Sequence, residues 1–138
     1  MLDIIGWSSL PAGLLPKWLW IVGLTSVLNT FQAFTTLSAT RRIYSNKPHE
    51  VTSLSGRTFG VWTLLSSVIR FYGAYNLQYA PMYHIVMSTF GIAWIHFMSE
   101  LFVFKTAKFK GPFIAPCIVA TSSLIWMASQ YGHYVKQH

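Results

Sequence analysis

His96 and Glu100 stand four residues apart in the run IVMSTFGIAWIHFMSELFVF, and Arg70 stands inside a second run, RTFGVWTLLSSVIRFYGAYN. Histidine and glutamate at that spacing share one helical face. A carboxylate placed there can orient and tune an imidazole for proton transfer. Such a pair would suit an isomerase that moves a proton on a membrane-soluble substrate such as a sterol. Arg70 needs a counter-ion, hydrogen-bond acceptors or a route to the interface, because a charge at membrane depth is costly and is a functional candidate by default.

Other chemistries find less support. The five histidines, His49, His84, His96, His133 and His138, form no HxxxH or HxxHH pattern, so no metal centre is expected. The three acids, Asp3, Glu50 and Glu100, are too separated for a paired-carboxylate site. There is no GxGxxG, no P-loop and no CxxC, and no cofactor is expected. Cys117, alone in an apolar run, reads as a packing residue.

The elements that must position these residues follow from composition. The 138 residues fit one domain; 53% are hydrophobic, 17% aromatic and only 9% charged. A soluble domain carries about 25% charged residues, so an integral membrane protein is expected. The net charge of +7 collects at the ends of apolar runs, where it meets headgroups and cytosol. A nucleic-acid surface would need a basic face on a soluble fold and is not expected. The first residues lack a basic stretch and carry Asp3, so no cleavable signal is expected. Ile4, Ile5 and Trp7 would suit the membrane interface.

Four apolar segments predict four transmembrane helices, at about 18–37, 58–76, 82–104 and 113–132, since about 20 residues cross a bilayer core. Continuous runs of this length mean helices, not barrel strands. The fold class is therefore all-α, a four-helix polytopic bundle forming a single membrane domain over 1–138. Pro16 and Lys17 would precede the first helix, and RRIYSNKPHEVTSLSGR would be the longest loop.

Within the segments the polar and small residues recur every three or four positions. Thr25, Asn29, Gln32 and Thr36 mark the first helix; Gly60, Thr63, Ser67, Arg70 and Ala74 the second; Thr89, Ala93, His96 and Glu100 the third. Each set lies on one face, which predicts a close-packed polar interior. The alternative is a ligand cavity or acid–base site lined by the same residues. The loops after the first and third helices would share a side and hold Arg41, Arg42, Lys47, Arg57, Lys105, Lys108 and Lys110. The positive-inside rule puts that side in the cytosol and both termini in the lumen. At about 1.5 Å per residue, Arg70 and Glu100 differ in depth by about 15 Å and should not pair. Glu100 should meet Arg57, Lys105 or Lys108; Arg70 should snorkel or reach Asn76 or Gln130. The candidate polar and interaction residues are Asn29, Gln32, Arg57, Arg70, His96 and Glu100.

The segments NTFQAF, GRTFGVWTLLSSVIR and YHIVMSTFGIAWIHFMSELFVFKTA resemble the ergosterol biosynthetic protein 28 family, small endoplasmic-reticulum membrane proteins of fungi, animals and plants. The resemblance implies a scaffold for sterol biosynthesis with no catalysis of its own. It would tether the sterol C-4 methyl oxidase, the decarboxylating 3-hydroxysteroid dehydrogenase and the 3-keto-steroid reductase. Some relatives end in a dilysine-type retrieval signal, which implies a cytosolic C-terminus, whereas this chain ends YVKQH with Lys136 in a comparable place. A sterol isomerase using His96 and Glu100, or a sterol-binding or transfer protein, are the alternatives. A homodimer is expected as well, with Ser66, Gly73, Ser88, Gly91, Ser122 and Ser129 permitting close approach and Trp62, Trp94 and Trp126 supplying an aromatic core.

Overall fold

A computed structural model describes residues 6–136. Each of the four expected segments overlaps one long helix: α1 Leu14–Thr35, α3 Ser53–Tyr75, α4 Ala80–Phe102 and α5 Ile114–Ser129. Two short helices, α2 Ser38–Ile43 and α6 Tyr131–Tyr134, and three single 3₁₀ turns complete the described residues, among which there is no strand. Ile4 and Ile5 lie outside them. Trp7 is within them and packs edge-on to Trp20, with ring centroids 5.3 Å apart.

Three boundaries differ from expectation. Pro16 and Lys17 belong to the first turn of α1, where a missing N–H costs nothing because no carbonyl precedes it in the helix. The loop segment after α1 folds part of itself into α2 and carries Arg41 and Arg42 in the last turn, the end where cations suit the helix dipole. Helix α3 begins at Ser53, five residues before its apolar run. Thr52 accepts from the Ser55 amide at 3.1 Å, and Ser55 Oγ accepts from the Thr52 amide at 2.8 Å. That reciprocal capping box satisfies orphan donors and starts the helix in polar sequence.

α1 packs along α3, α4 packs on α5, and the two pairs meet more sparingly. The α1–α3 seam is close. A Cβ on Gly60 would stand 3.0 Å from the Phe34 ring, and Thr30 Oγ1 bonds both the Gly60 carbonyl and Thr63 Oγ1 at 2.9 Å. Small residues and interhelical hydrogen bonds are the means by which helices associate where hydrophobic driving force is missing.

The chain reverses so that both described termini lie at one end. Tyr75 Oη donates to the Gly6 carbonyl at 2.7 Å, Tyr134 Oη accepts from the Leu15 amide at 3.2 Å, and the Lys136 amide donates to Gln78 O at 3.0 Å. At the opposite end the amides of Asn46 and Lys47 both donate to Thr106 O, at 3.0 and 3.2 Å. The loops after α1 and α4 are thus tied together, as their shared side requires.

The exposure pattern is inverted relative to a soluble bundle. Ser26, Ser66, Ser67, Arg70, Thr89 and Ser123 are buried, while Leu28, Phe31, Leu65, Val68, Ile95 and Ile125 are more than 40% exposed. All four long helices carry such outward apolar residues, far beyond the single exposed apolar patch a soluble monomer tolerates. Two segments, Ala80–Phe102 and Gly111–Ser129, are long and apolar enough to cross a membrane. α1 and α3, with 22 and 23 residues, have the length. α3 buries Ser66, Ser67 and Arg70, whereas α1 buries a mainly apolar face with Ser26 its one buried hydroxyl. The expected inward stripe of the first helix is thereby corrected: Thr25, Gln32 and Thr36 are exposed and Asn29 is half-buried.

Candidate functional site

Phe59 and Trp62 on α3 form a wall between two cavities, and line both. On the loop side lies a cavity of about 490 Å³ bounded by α2, the segment after it, α3 and α4. His96 and Glu100 both line it, as one turn of a shared helical face dictates. They do not bond to each other. His96 Nε2 meets Tyr44 Oη at 2.7 Å, and its ring is held edge-on by Trp62 and Phe97 at 5.4 and 5.0 Å. Burial pushes the Tyr44 phenol above its ordinary range, and the Glu100 carboxylate pushes the same way, so the phenol keeps its proton.

Glu100 corrects an expectation. Its Oε2 accepts from Thr106 Oγ1, and its backbone carbonyl accepts from the Thr106 amide at 2.9 Å. None of Arg57, Lys105 and Lys108 comes within 4.0 Å of its carboxylate; Arg57 is exposed. The reason is the turn after α4. Lys105 adopts φ 56°, which bends the chain back so that Thr106, and not a lysine, faces the carboxylate. Thr106 therefore joins Glu100 to the loop after α2.

The second cavity, about 410 Å³, lies between the two helix pairs. Asn29, Gln32 and Arg70 line it. Asn29 Nδ2 donates to Thr63 Oγ1 at 3.3 Å, and Gln32 is exposed at its margin. Arg70 does not pair with Glu100, in agreement with the depth argument, but it neither snorkels nor meets Asn76 or Gln130. Its Nε donates to Thr89 Oγ1 at 3.2 Å and its Nη1 to Ser26 Oγ at 3.0 Å. The guanidinium carbon stands 4.2 Å from the centroid of the Phe90 ring, a cation–π contact.

The structure thus divides five of the six expected residues between two places. His96 and Glu100 share the loop-side cavity, Asn29, Gln32 and Arg70 share the central one, and Arg57 joins neither. Sequence reasoning passed over Tyr44, Thr106 and Ser26. Tyr44 and Thr106 lie outside the apolar runs, and Ser26 sits one position off the stripe marked by Thr25 and Asn29. Among the described residues no three His, Cys, Asp or Glu side chains gather as a metal-ligand set.

Residues 15–125 match the family described as Erg28 like protein. The chain belongs to the Erg28 family. It is 44% identical to ergosterol biosynthetic protein 28 of Saccharomyces cerevisiae over 92% of this chain and 86% of that protein. It is 43% identical to the Candida albicans protein of the same name, over 90% of each. The mouse ergosterol biosynthetic protein 28 homolog is 43% identical over 82% of this chain and 81% of its own length. No solved structure matches the chain. The family and the names of these relatives connect this Erg28 family member with ergosterol biosynthesis.

Proposed function

We propose that the chain is a non-catalytic membrane scaffold that holds the sterol C-4 demethylation enzymes together in the endoplasmic reticulum. All four long helices cross the bilayer in this reading, with the basic loop end in the cytosol. The observation that carries it is the inverted exposure pattern. The outward faces of all four helices carry large exposed apolar side chains, as lipid and membrane partners require. The inward polar groups are engaged with one another: His96 with Tyr44, Glu100 with Thr106, Arg70 with Ser26 and Thr89.

The partners are the methyl oxidase, the decarboxylating dehydrogenase and the 3-keto-steroid reductase, together with a second copy of the chain. Ser66 and Gly73 are buried and are unavailable to that second copy. Ser88, Ser122 and Ser129 are exposed and remain available, as does Gly91, whose added Cβ would meet nothing within 4 Å.

The test is isolation of the full chain from native membranes in mild detergent, followed by mass spectrometry of what accompanies it and assay of the purified chain alone on sterol isomers. Recovery of the three enzymes, with no turnover by the chain, is expected. Turnover by the purified chain that His96→Ala abolishes would replace the scaffold by an isomerase.

A further inference from the structure

Among the described residues, the central cavity leaves a charge unmatched. Arg70 is 7% exposed, and among the described residues no carboxylate lies within 4.0 Å of it. Glu50 and Glu100 line the other cavity, beyond the Phe59–Trp62 wall. Two hydroxyls and a ring face engage Nε, Nη1 and the guanidinium plane. Nη2 has no hydrogen-bond partner among the described residues, and Arg70 lines the cavity. Arginine is not neutralised in proteins, and a buried charge without a counter-ion is strongly unfavourable. Phe90, on which the guanidinium rests, is close to the middle of α4, so the charge is turned toward the bundle interior and not toward the nearer helix end.

The rest of the cavity has the character of a lipid site. Its volume lies within the roughly 300–1,000 Å³ of small-molecule sites. Val22, Phe90, Phe97, Val119 and Ala120 supply apolar wall, and Thr25, Asn29, Thr63 and Ser66 supply hydroxyls and an amide beside the guanidinium. α1 and α5 are joined near one end, where Trp18 Nε1 donates to Ser123 Oγ at 2.9 Å. Thr25 and Gln32 on α1 and Ala115 on α5 are exposed, which marks the rim between these helices as the side entrance.

We infer that this cavity binds an amphipathic lipid whose anionic head, a carboxylate or phosphate, pairs with Arg70 while its apolar body lies along the α1–α5 cleft. The inference rests on the membrane reading above and is independent of the scaffold role, so loss of enzyme partners in the pull-down would leave it standing. The free anion alone lacks the body that the apolar wall would hold.

The experiment measures retention of oleate and of oleyl alcohol by the full chain in mild detergent, by native mass spectrometry, with inorganic phosphate as competitor. Wild type should retain oleate about tenfold better than the alcohol, the worth of a charge-assisted hydrogen bond, and millimolar phosphate should not displace it. Arg70→Gln should abolish the difference. Val119→Trp, which fills the cavity and leaves Arg70 in place, should abolish retention of both, and it decides the matter if Arg70→Gln does not fold. Equal retention of acid and alcohol by wild type, an acid preference that survives either substitution, or displacement of oleate by phosphate would overturn the inference.

Discussion

Tyr44 and His96, 52 positions apart in sequence, meet at 2.7 Å between the phenol oxygen and Nε2. The contact lies in the wall of the loop-side cavity and ties the segment after α2 to the C-terminal half of α4. Tyr44→Phe removes the hydroxyl and leaves a partly buried imidazole nitrogen unpaired, which should cost about 1–3 kcal/mol. Unfolding in detergent measures it, and a double-mutant cycle with His96→Leu should return a coupling near the same size. The cost also has a pH dependence. The folded protein holds the Tyr44 proton above the ordinary phenol pKa of 10.0, so the folded state binds more protons there than the unfolded one. Its contribution is fully present below about pH 10 and falls as pH rises further. The stability gap between wild type and Tyr44→Phe should narrow above that pH; a gap that widens would contradict the assignment.

The capping box offers a second measurement. Thr52→Ala removes the side-chain acceptor of the Ser55 amide and should cost about 0.5–2 kcal/mol. The first turns of α3 should then exchange amide protons faster, while those around Gly73 and Ala74 keep their protection. Uniform loss across α3 would show that the cap holds more than its own helix end.

Neither of these two contacts is legible in the sequence, although the helical stripes around them are. The stripes of Gly60, Thr63, Ser67 and Arg70 and of Thr89, Ala93 and His96 follow from helical periodicity alone, and the structure turns them inward together. The Arg70–Glu100 separation followed from rise per residue. The start of α3 was missed because hydropathy sees only the apolar run, whereas a cap acts through Thr52 and Ser55 in polar sequence. Glu100's partner was missed because charge predicts a lysine, and the left-handed turn at Lys105 decides otherwise. Tyr44 reached His96 through a fold in a loop, which no periodicity encodes.

Orientation is testable without a structure. Arg41, Arg42, Lys47, Arg57, Lys105, Lys108 and Lys110 belong to the end where the loops after α1 and α4 are joined, and positive loops stay in the cytosol. A glycosylation acceptor placed within SNKPHEVTS should remain unmodified, and one appended beyond His138 should be modified. The reverse pattern would place the termini in the cytosol, where a C-terminal retrieval signal could be read.

Gly73 and Gly91 separate packing within one chain from packing between chains. A Cβ on Gly73 would collide with Val86 across the α3–α4 contact, so Gly73→Ala should overpack the core and cost about 1–3 kcal/mol. A Cβ on Gly91 meets nothing within 4 Å, so Gly91→Ala and Gly91→Leu should leave the fold intact. Ser88 is exposed about one turn before Gly91 on α4, and small residues on one helix face let a second helix approach closely. A two-fold dimer through this face is the closed assembly such a surface would give. Gly91→Leu should then convert a crosslinked dimer in native membranes to monomer while leaving the thermal unfolding of the chain unchanged. Dimer that persists through Gly91→Leu, with folding intact, would remove this face of α4 from the interface.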